Sequence, residues 1–168
     1  MILFVTVGTT KFELLIERIL SGVFFDVLHR RNYRQIIVQY GGGSFNHRLF
    51  LDLGRKHGVI AEAFPFTNNI GKYIESAYCV ISHCGSGTVF EVLRSSNKPF
   101  LVAIANEALL DNHQQELADE LKHGEYCHVS TLSQLHGCFS SEAYQRKYKE
   151  LPAPQPGFLL AEIEGLFF

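Results

Sequence analysis

Residues 80–93, VISHCGSGTVFEVL, run from four strand-forming residues through a cluster of small ones into a helical pattern. That order suits anion binding. The first turn of a helix presents backbone N–H groups without intrahelical partners, together with the positive end of the helix dipole. Gly85 and Gly87 carry no side chain, so a diphosphate can come close to those amides, and Ser86 and Thr88 add hydroxyl donors. Glu91 follows about one turn later, roughly 6 Å along the axis from Gly87 at about 1.5 Å per residue. A carboxylate at that distance would repel phosphate. It suits the 2′,3′-diol of a ribose, as the acidic residue of dinucleotide folds does, or it simply complements the helix dipole. The motif alone leaves both readings open. His83, just before the small residues, is a candidate phosphate or sugar contact, or a structural residue of the strand end.

A second stretch has the same character. VTVGTTKF, residues 5–12, is a strand, then Gly8, Thr9 and Thr10, then a helical pattern, so a second helix N-terminus is expected beside the first. A third candidate is NEALLDNHQQELADEL, residues 106–121, where Asn106, Asn112, Gln114 and Gln115 cluster at a helix start with His113 among them. Amides donate and accept together, which suits sugar hydroxyls; helix capping by Asp111 or Asn112 with solvated glutamines explains them as well. Neither glycine loop is GxGxxG or GxxxxGK[ST], which argues against a dinucleotide or P-loop site. There is no DxD pair to chelate a metal for a sugar nucleotide, and Cys84 replaces the first glycine of a GxSxG elbow. Zinc on Cys79, His83 and Cys84 lacks a clear fourth ligand, so neither metal nor cofactor is expected.

These loops need a scaffold that presents them together. Apolar, β-rich runs at 2–7, 35–40, 58–64, 78–82, 99–104 and more weakly 126–130 alternate with helical patterns, including Phe12, Leu15, Ile16, Ile19 and Leu20 after the first run and a short helix around 68–76. Strands apolar on both faces that alternate with helices imply a parallel sheet covered on both sides, a doubly wound Rossmann-like α/β fold. Its ligands bind beyond the carboxyl ends of the strands, in the loops that follow them. The chain has 168 residues, 46% hydrophobic and 19% charged, consistent with one globular domain. A net charge of −2 offers no footprint for nucleic acid or an anionic surface. Four cysteines without CxxC spacing, and an opening strand in place of a leader, read as reduced cytosolic thiols, and no apolar run is long enough to span a bilayer. The expected organisation is a nucleotide-binding domain at 1–140, a polar, proline-rich linker at 141–157, and an apolar helix at 158–168. That helix either packs on its own domain or serves as a partner interface.

FVTVGTTKFELLIERI, VISHCGSGTVFEVL and KPFLVAIANEALLDNHQQELADEL, in that order, resemble the cytosolic donor-binding subunits of the two-component N-acetylglucosaminyltransferases of dolichol-linked oligosaccharide synthesis. Those subunits are similar to the C-terminal half of family 28 GT-B glycosyltransferases. The resemblance covers roughly residues 1–137. It implies inverting transfer of N-acetylglucosamine from UDP-N-acetylglucosamine to dolichyl-diphosphate-N-acetylglucosamine, forming a β1,4 linkage, at the cytosolic face of the endoplasmic reticulum. It also implies that Glu91 holds the ribose, Gly85–Thr88 the diphosphate, Gly8–Thr10 the phosphate and sugar, Gln114 and Gln115 the sugar hydroxyls, and the main chain near Phe66 and Thr67 the uracil. A membrane-anchored Rossmann-like partner would supply the lipid-linked acceptor site and the general base. The sequence departs from the family's commoner pattern at Cys84 and Ser86, where alanines are frequent, and at Asn97, where glycine is usual. The competing expectation is a nucleotide-sensing module that binds without turnover.

Overall fold

A computed structural model of the chain describes residues 1–106, 113–140, 144 and 146–152. Six parallel strands form one sheet: β1 (Ile2–Thr6), β2 (Gln35–Gln39), β3 (Ile60–Phe64), β4 (Cys79–Ser82), β5 (Phe100–Ile104) and β6 (His128–Ser130), in the spatial order β3-β2-β1-β4-β5-β6. Between them lie α1 (Glu13–Ile19), α2 (Gly22–Arg30), α3 (His47–His57), α4 (Gly71–Ser76), α5 (Ser86–Arg94) and α6 (His113–His123), and a 3-10 helix spans Leu132–Phe139. The doubly wound class read from the alternating pattern is the observed one. Beyond it, the expected apolar helix at 158–168 and most of the linker fall outside the described residues.

Period-two alternation along each buried strand divides the core. Leu3, Val5, Ile36, Val38, Cys79 and Ile81 point to one face, under α1, α2, α3 and the 3-10 helix. Phe4, Ile37, Val80, Leu101 and Ala103 point to the other, under α4, α5 and α6. The helix patterns follow from local chemistry. Asn46 caps α3 by accepting the Leu49 N–H at 3.0 Å, and Gly58 ends it in the left-handed conformation at φ 68°.

Two elements differ from the sequence expectation. The helical run after the first strand is broken at Leu20, and a further helix, α2, follows; Ser21 caps it by accepting the Phe24 N–H, and Phe24, Phe25 and Leu28 bury completely. Each of those side chains contributes about 2–3 kcal/mol by burial, enough to hold a separate helix on the sheet. The strand at 60–64 is an edge strand, so Ile60 is 67% exposed and the strand is not covered on both faces.

The turn at Asn97 is satisfied without a glycine. The Asn97 carboxamide donates to the Ala77 carbonyl at 2.6 Å and its N–H to Glu75 at 3.1 Å, and the following Lys98 takes the positive φ of 44°. At the amino ends of β4 and β5, Tyr144 packs at a tilt on Phe100 with ring centroids 4.7 Å apart, touches Tyr78, and hydrogen-bonds the Tyr33 hydroxyl. This strap seals the edge of the sheet opposite the candidate loops.

Candidate functional site

The strand order places β1 beside β4, with Thr6 paired to Ser82 at their carboxyl ends. The chain leaves β1 toward β2 on one side and leaves β4 toward β5 on the other, so the two loops diverge here. This is the switch point at which α/β sheets open a crevice. The two glycine loops identified in the sequence therefore meet at one mouth.

The β4 loop builds its half from the main chain. His83 donates its N–H to the Thr6 carbonyl at 3.2 Å, Cys84 turns at φ 62°, and Gly85 is the N-cap of α5. A non-glycine residue in the left-handed region costs about 1–2 kcal/mol, so the turn here is held under strain by its surroundings. Burial and the Asp119 carboxylate push the Cys84 thiol up to about 11, so it stays protonated and unreactive at neutral pH. No side chain caps α5 and its first turn holds no acid, which leaves the amides of Ser86, Gly87 and Thr88 directed outward. Ser86 and Gly87 are exposed. Glu91 lies beyond that first turn, so complementing the helix end is not its role.

The glycines have a second reason to be there. The His83 ring, only 5% exposed, fills the space beside both loops: a Cβ on Gly85 would lie 2.4 Å from its Nε2, and one on Gly8 would lie 2.9 Å from its Cε1. Gly8 also needs its freedom for φ 61°. Burial holds the imidazole below its usual value, with the Thr6 carbonyl opposing in part, so it is neutral at pH 7.

The β1 loop differs from the expected second helix N-terminus. Helix α1 begins only at Glu13, and Thr10 folds back on its own strand, its hydroxyl donating to the Val7 carbonyl at 2.8 Å. The Gly8 N–H is engaged by Thr6 Oγ1 at 3.0 Å. Thr9 is thus the exposed residue of the turn. Gly41, after β2, packs so closely on this turn that a Cβ would fall 2.1 Å from the Thr10 carbonyl.

Beside the α5 terminus a groove of about 450 Å³ runs between α4 and α5, lined by Gly71, Ile74, Gly87, Phe90, Glu91 and Arg94 among others. The Glu91 carboxylate reaches toward α4, where a Cβ on Gly71 would lie 3.2 Å from its Oε1. Gly87, in the first turn of α5, and Glu91 therefore share one groove. Phe66, 57% exposed, and Thr67 stand in the loop between β3 and α4, where Thr67 Oγ1 accepts the Asn69 N–H at 3.1 Å. That loop leads into the Gly71 end of the groove.

The amide cluster is partly committed to the fold. Gln114 Oε1 accepts the Asn106 N–H at 3.1 Å, and the Asn106 carboxamide donates to the Lys11 carbonyl at 3.0 Å, tying α6 to the β1 loop. Gln115 donates to Asp119 one turn on. Asn112 lies outside the described residues. Sequence reasoning missed Gly71, which makes room for Glu91; nothing in the local pattern NNIGKY marks it. A larger cavity, about 540 Å³, lies at the opposite sheet edge between Phe100, Tyr126 and Tyr148, where Lys98 pairs with Glu150, and Arg146 and Lys149 pair with Glu125. Each of its three cations is already paired, two of them sharing the Glu125 carboxylate. No group of three metal-ligating side chains occurs among the described residues.

Comparison with known proteins bears on family and fold. The profile described as "Glycosyltransferase family 28 C-terminal domain" matches residues 2–137. The UDP-N-acetylglucosamine transferase subunit ALG13 of Yarrowia lipolytica is 35% identical over 167 residues, covering 98% of this chain and 83% of that protein. Among solved structures, the NMR solution structure of ALG13 superposes with a TM-score of 0.66 at 21% identity, over 99% of this chain and 96% of that one. The crystal structure of Acinetobacter baumannii MurG gives 0.58 at 17% identity, over 85% of this chain but 40% of its own. At these identities the two structures speak to the fold.

Proposed function

The chain belongs to the glycosyltransferase family 28 C-terminal-domain family, and from that premise we propose that it is the donor-binding subunit of an N-acetylglucosaminyltransferase that uses UDP-N-acetylglucosamine and a lipid-linked acceptor, dolichyl-diphosphate-N-acetylglucosamine. The observation that carries this reading is the shared groove: an uncapped, acid-free helix end at Gly87 and a carboxylate at Glu91, one turn apart at the sheet's switch point. The outward amides suit a diphosphate, and the carboxylate suits the ribose diol. The exposed loop at Phe66 and Thr67 is the proposed place for the base.

In the reaction the acceptor hydroxyl attacks the anomeric carbon from the face opposite UDP, with inversion. The bond from that carbon to the β-phosphate oxygen breaks, and UDP leaves with the electron pair. Negative charge builds on the diphosphate as it departs, and the fixed N–H dipoles of Ser86–Thr88 stabilise that charge without having to reorganise. No group on this chain is assigned as the base that takes the acceptor's proton. A membrane-anchored partner supplies that base and the acceptor site, and recruits this chain to the cytosolic face of the endoplasmic reticulum; the segment 158–168 is the proposed contact.

The test is ligand protection and transfer. UDP-N-acetylglucosamine raises the melting temperature of the chain, and Glu91→Ala weakens binding by about ten-fold, the worth of one or two lost hydrogen bonds to a charged acceptor. Transfer appears only when the membrane partner is added. Full transfer by the isolated chain would overturn the division of labour, and preferential protection by adenine nucleotides would favour the sensing alternative.

A further inference from the structure

Two polar residues interrupt otherwise apolar strands and make no contact with solvent of consequence: Thr6, fully buried at the end of β1, and Gln39, 3% exposed and paired with it on β2. Burying unpaired polar groups is costly, so such residues persist where their hydrogen bonds are complete. Here they are. A threonine hydroxyl has one proton and two lone pairs. The proton goes to Gln39 Oε1 at 2.8 Å, and the Gly8 N–H donates to the oxygen at 3.0 Å. The Gly8 amide takes one of the two lone pairs, and the hydroxyl proton is held by the carboxamide oxygen of Gln39. Gln39 thereby aims the lone pair at Gly8.

The same residue reaches the second loop through its main chain, where the Thr6 carbonyl accepts the His83 N–H at 3.2 Å. From there the contacts are continuous. Gly8 lies against the His83 ring, and the ring lies against Gly85, the N-cap of α5. Turning the Gly8 peptide would move the ring and with it the start of the anion-facing helix.

We infer that Thr6, oriented by Gln39, is a positioning residue that sets the spacing between the two loops of the donor site. The inference rests on the function proposed above. Thr6 touches no donor atom; it acts through Gly8 and His83.

The experiment compares Thr6→Val, which keeps the shape and removes the hydroxyl, with Thr6→Ser, which keeps the hydroxyl. UDP-N-acetylglucosamine affinity of the full chain is measured by calorimetry and corrected for the folded fraction, and amide exchange is followed at Gly8. Thr6→Val weakens binding about ten-fold and speeds exchange at Gly8, in line with one buried amide left unpaired. Thr6→Ser stays within about two-fold of wild type on the same grounds. A purely structural role would lower the folded fraction and leave the affinity of the folded molecules unchanged. If Thr6→Val does not fold, Gln39→Met decides: it frees the hydroxyl proton, and the expected result is several-fold weaker binding with faster Gly8 exchange. Wild-type affinity in whichever variant folds, or unchanged exchange at Gly8, overturns the inference. Absence of binding by the wild-type chain would instead sink the functional reading, and this inference with it.

Discussion

Gly85 makes room for an imidazole as well as for the proposed ligand. The sequence shows a glycine before a helix and suggests close approach of phosphate; the structure adds His83 Nε2 only 2.4 Å from where a side chain would begin. The same ring carries a pH prediction. Burial lowers the imidazole's affinity for protons in the folded state, while the unfolded chain titrates near the ordinary 6.5. Below that value the unfolded state binds more protons than the native one, so the native state loses stability as pH falls. The melting temperature should therefore decline from about pH 6.5 downward, with His128, also lowered by burial, contributing to the same limb. His83→Gln should flatten the decline in a pH series of thermal melts. An unchanged slope would show that His83 is not neutral in the fold.

The helix α5 separates stability from function. Its N-terminus has no capping side chain and no acid in its first turn, an arrangement that leaves about 0.5–1 kcal/mol of available helix stabilisation unused. Gly87 stands in that turn with no atom within 4 Å of a would-be Cβ, so a side chain fits without displacing anything. Gly87→Asp should hold or slightly raise the melting temperature, because the charge complements the dipole and glycine is a poor helix former. The same carboxylate would stand against the diphosphate, where like charges a few ångströms apart cost on the order of several kcal/mol. Donor affinity should fall by more than ten-fold in calorimetry while the fold is kept. A parallel loss of both would mean that the amides of this turn serve only the helix.

For the whole molecule, the two edges of the sheet have different tasks. The carboxyl edge gathers the glycine loops, the strained Cys84 turn and the groove at Glu91. The amino edge is closed by Tyr144 against Tyr33, Tyr78 and Phe100. Tyr144→Ala should cost about 3 kcal/mol, through lost aromatic packing and an orphaned Tyr33 hydroxyl, as read from denaturant melts. Affinity for UDP-N-acetylglucosamine in the folded protein should stay within about two-fold, because no contact in the crevice depends on that ring. A matching loss of affinity would show that the two edges are coupled through the sheet.

From the residues alone one can read the doubly wound class, because buried parallel strands must be apolar on both faces, and the start of a helix at Gly85–Thr88, because small residues before a helical pattern leave its first amides open. These are local properties, carried by neighbours in the chain. What the residues could not decide was the strand order that sets β1 against β4, the commitment of Gln114 and Gln115 to Asn106 and Asp119, and the late start of α1 that turns Thr10 back on its strand. Nor could they show that Gly71, sixteen residues earlier by the numbering up to Gly87, opens the space into which Glu91 reaches. Each of these depends on atoms brought together from distant parts of the chain, and only packing determines which donor finds which acceptor.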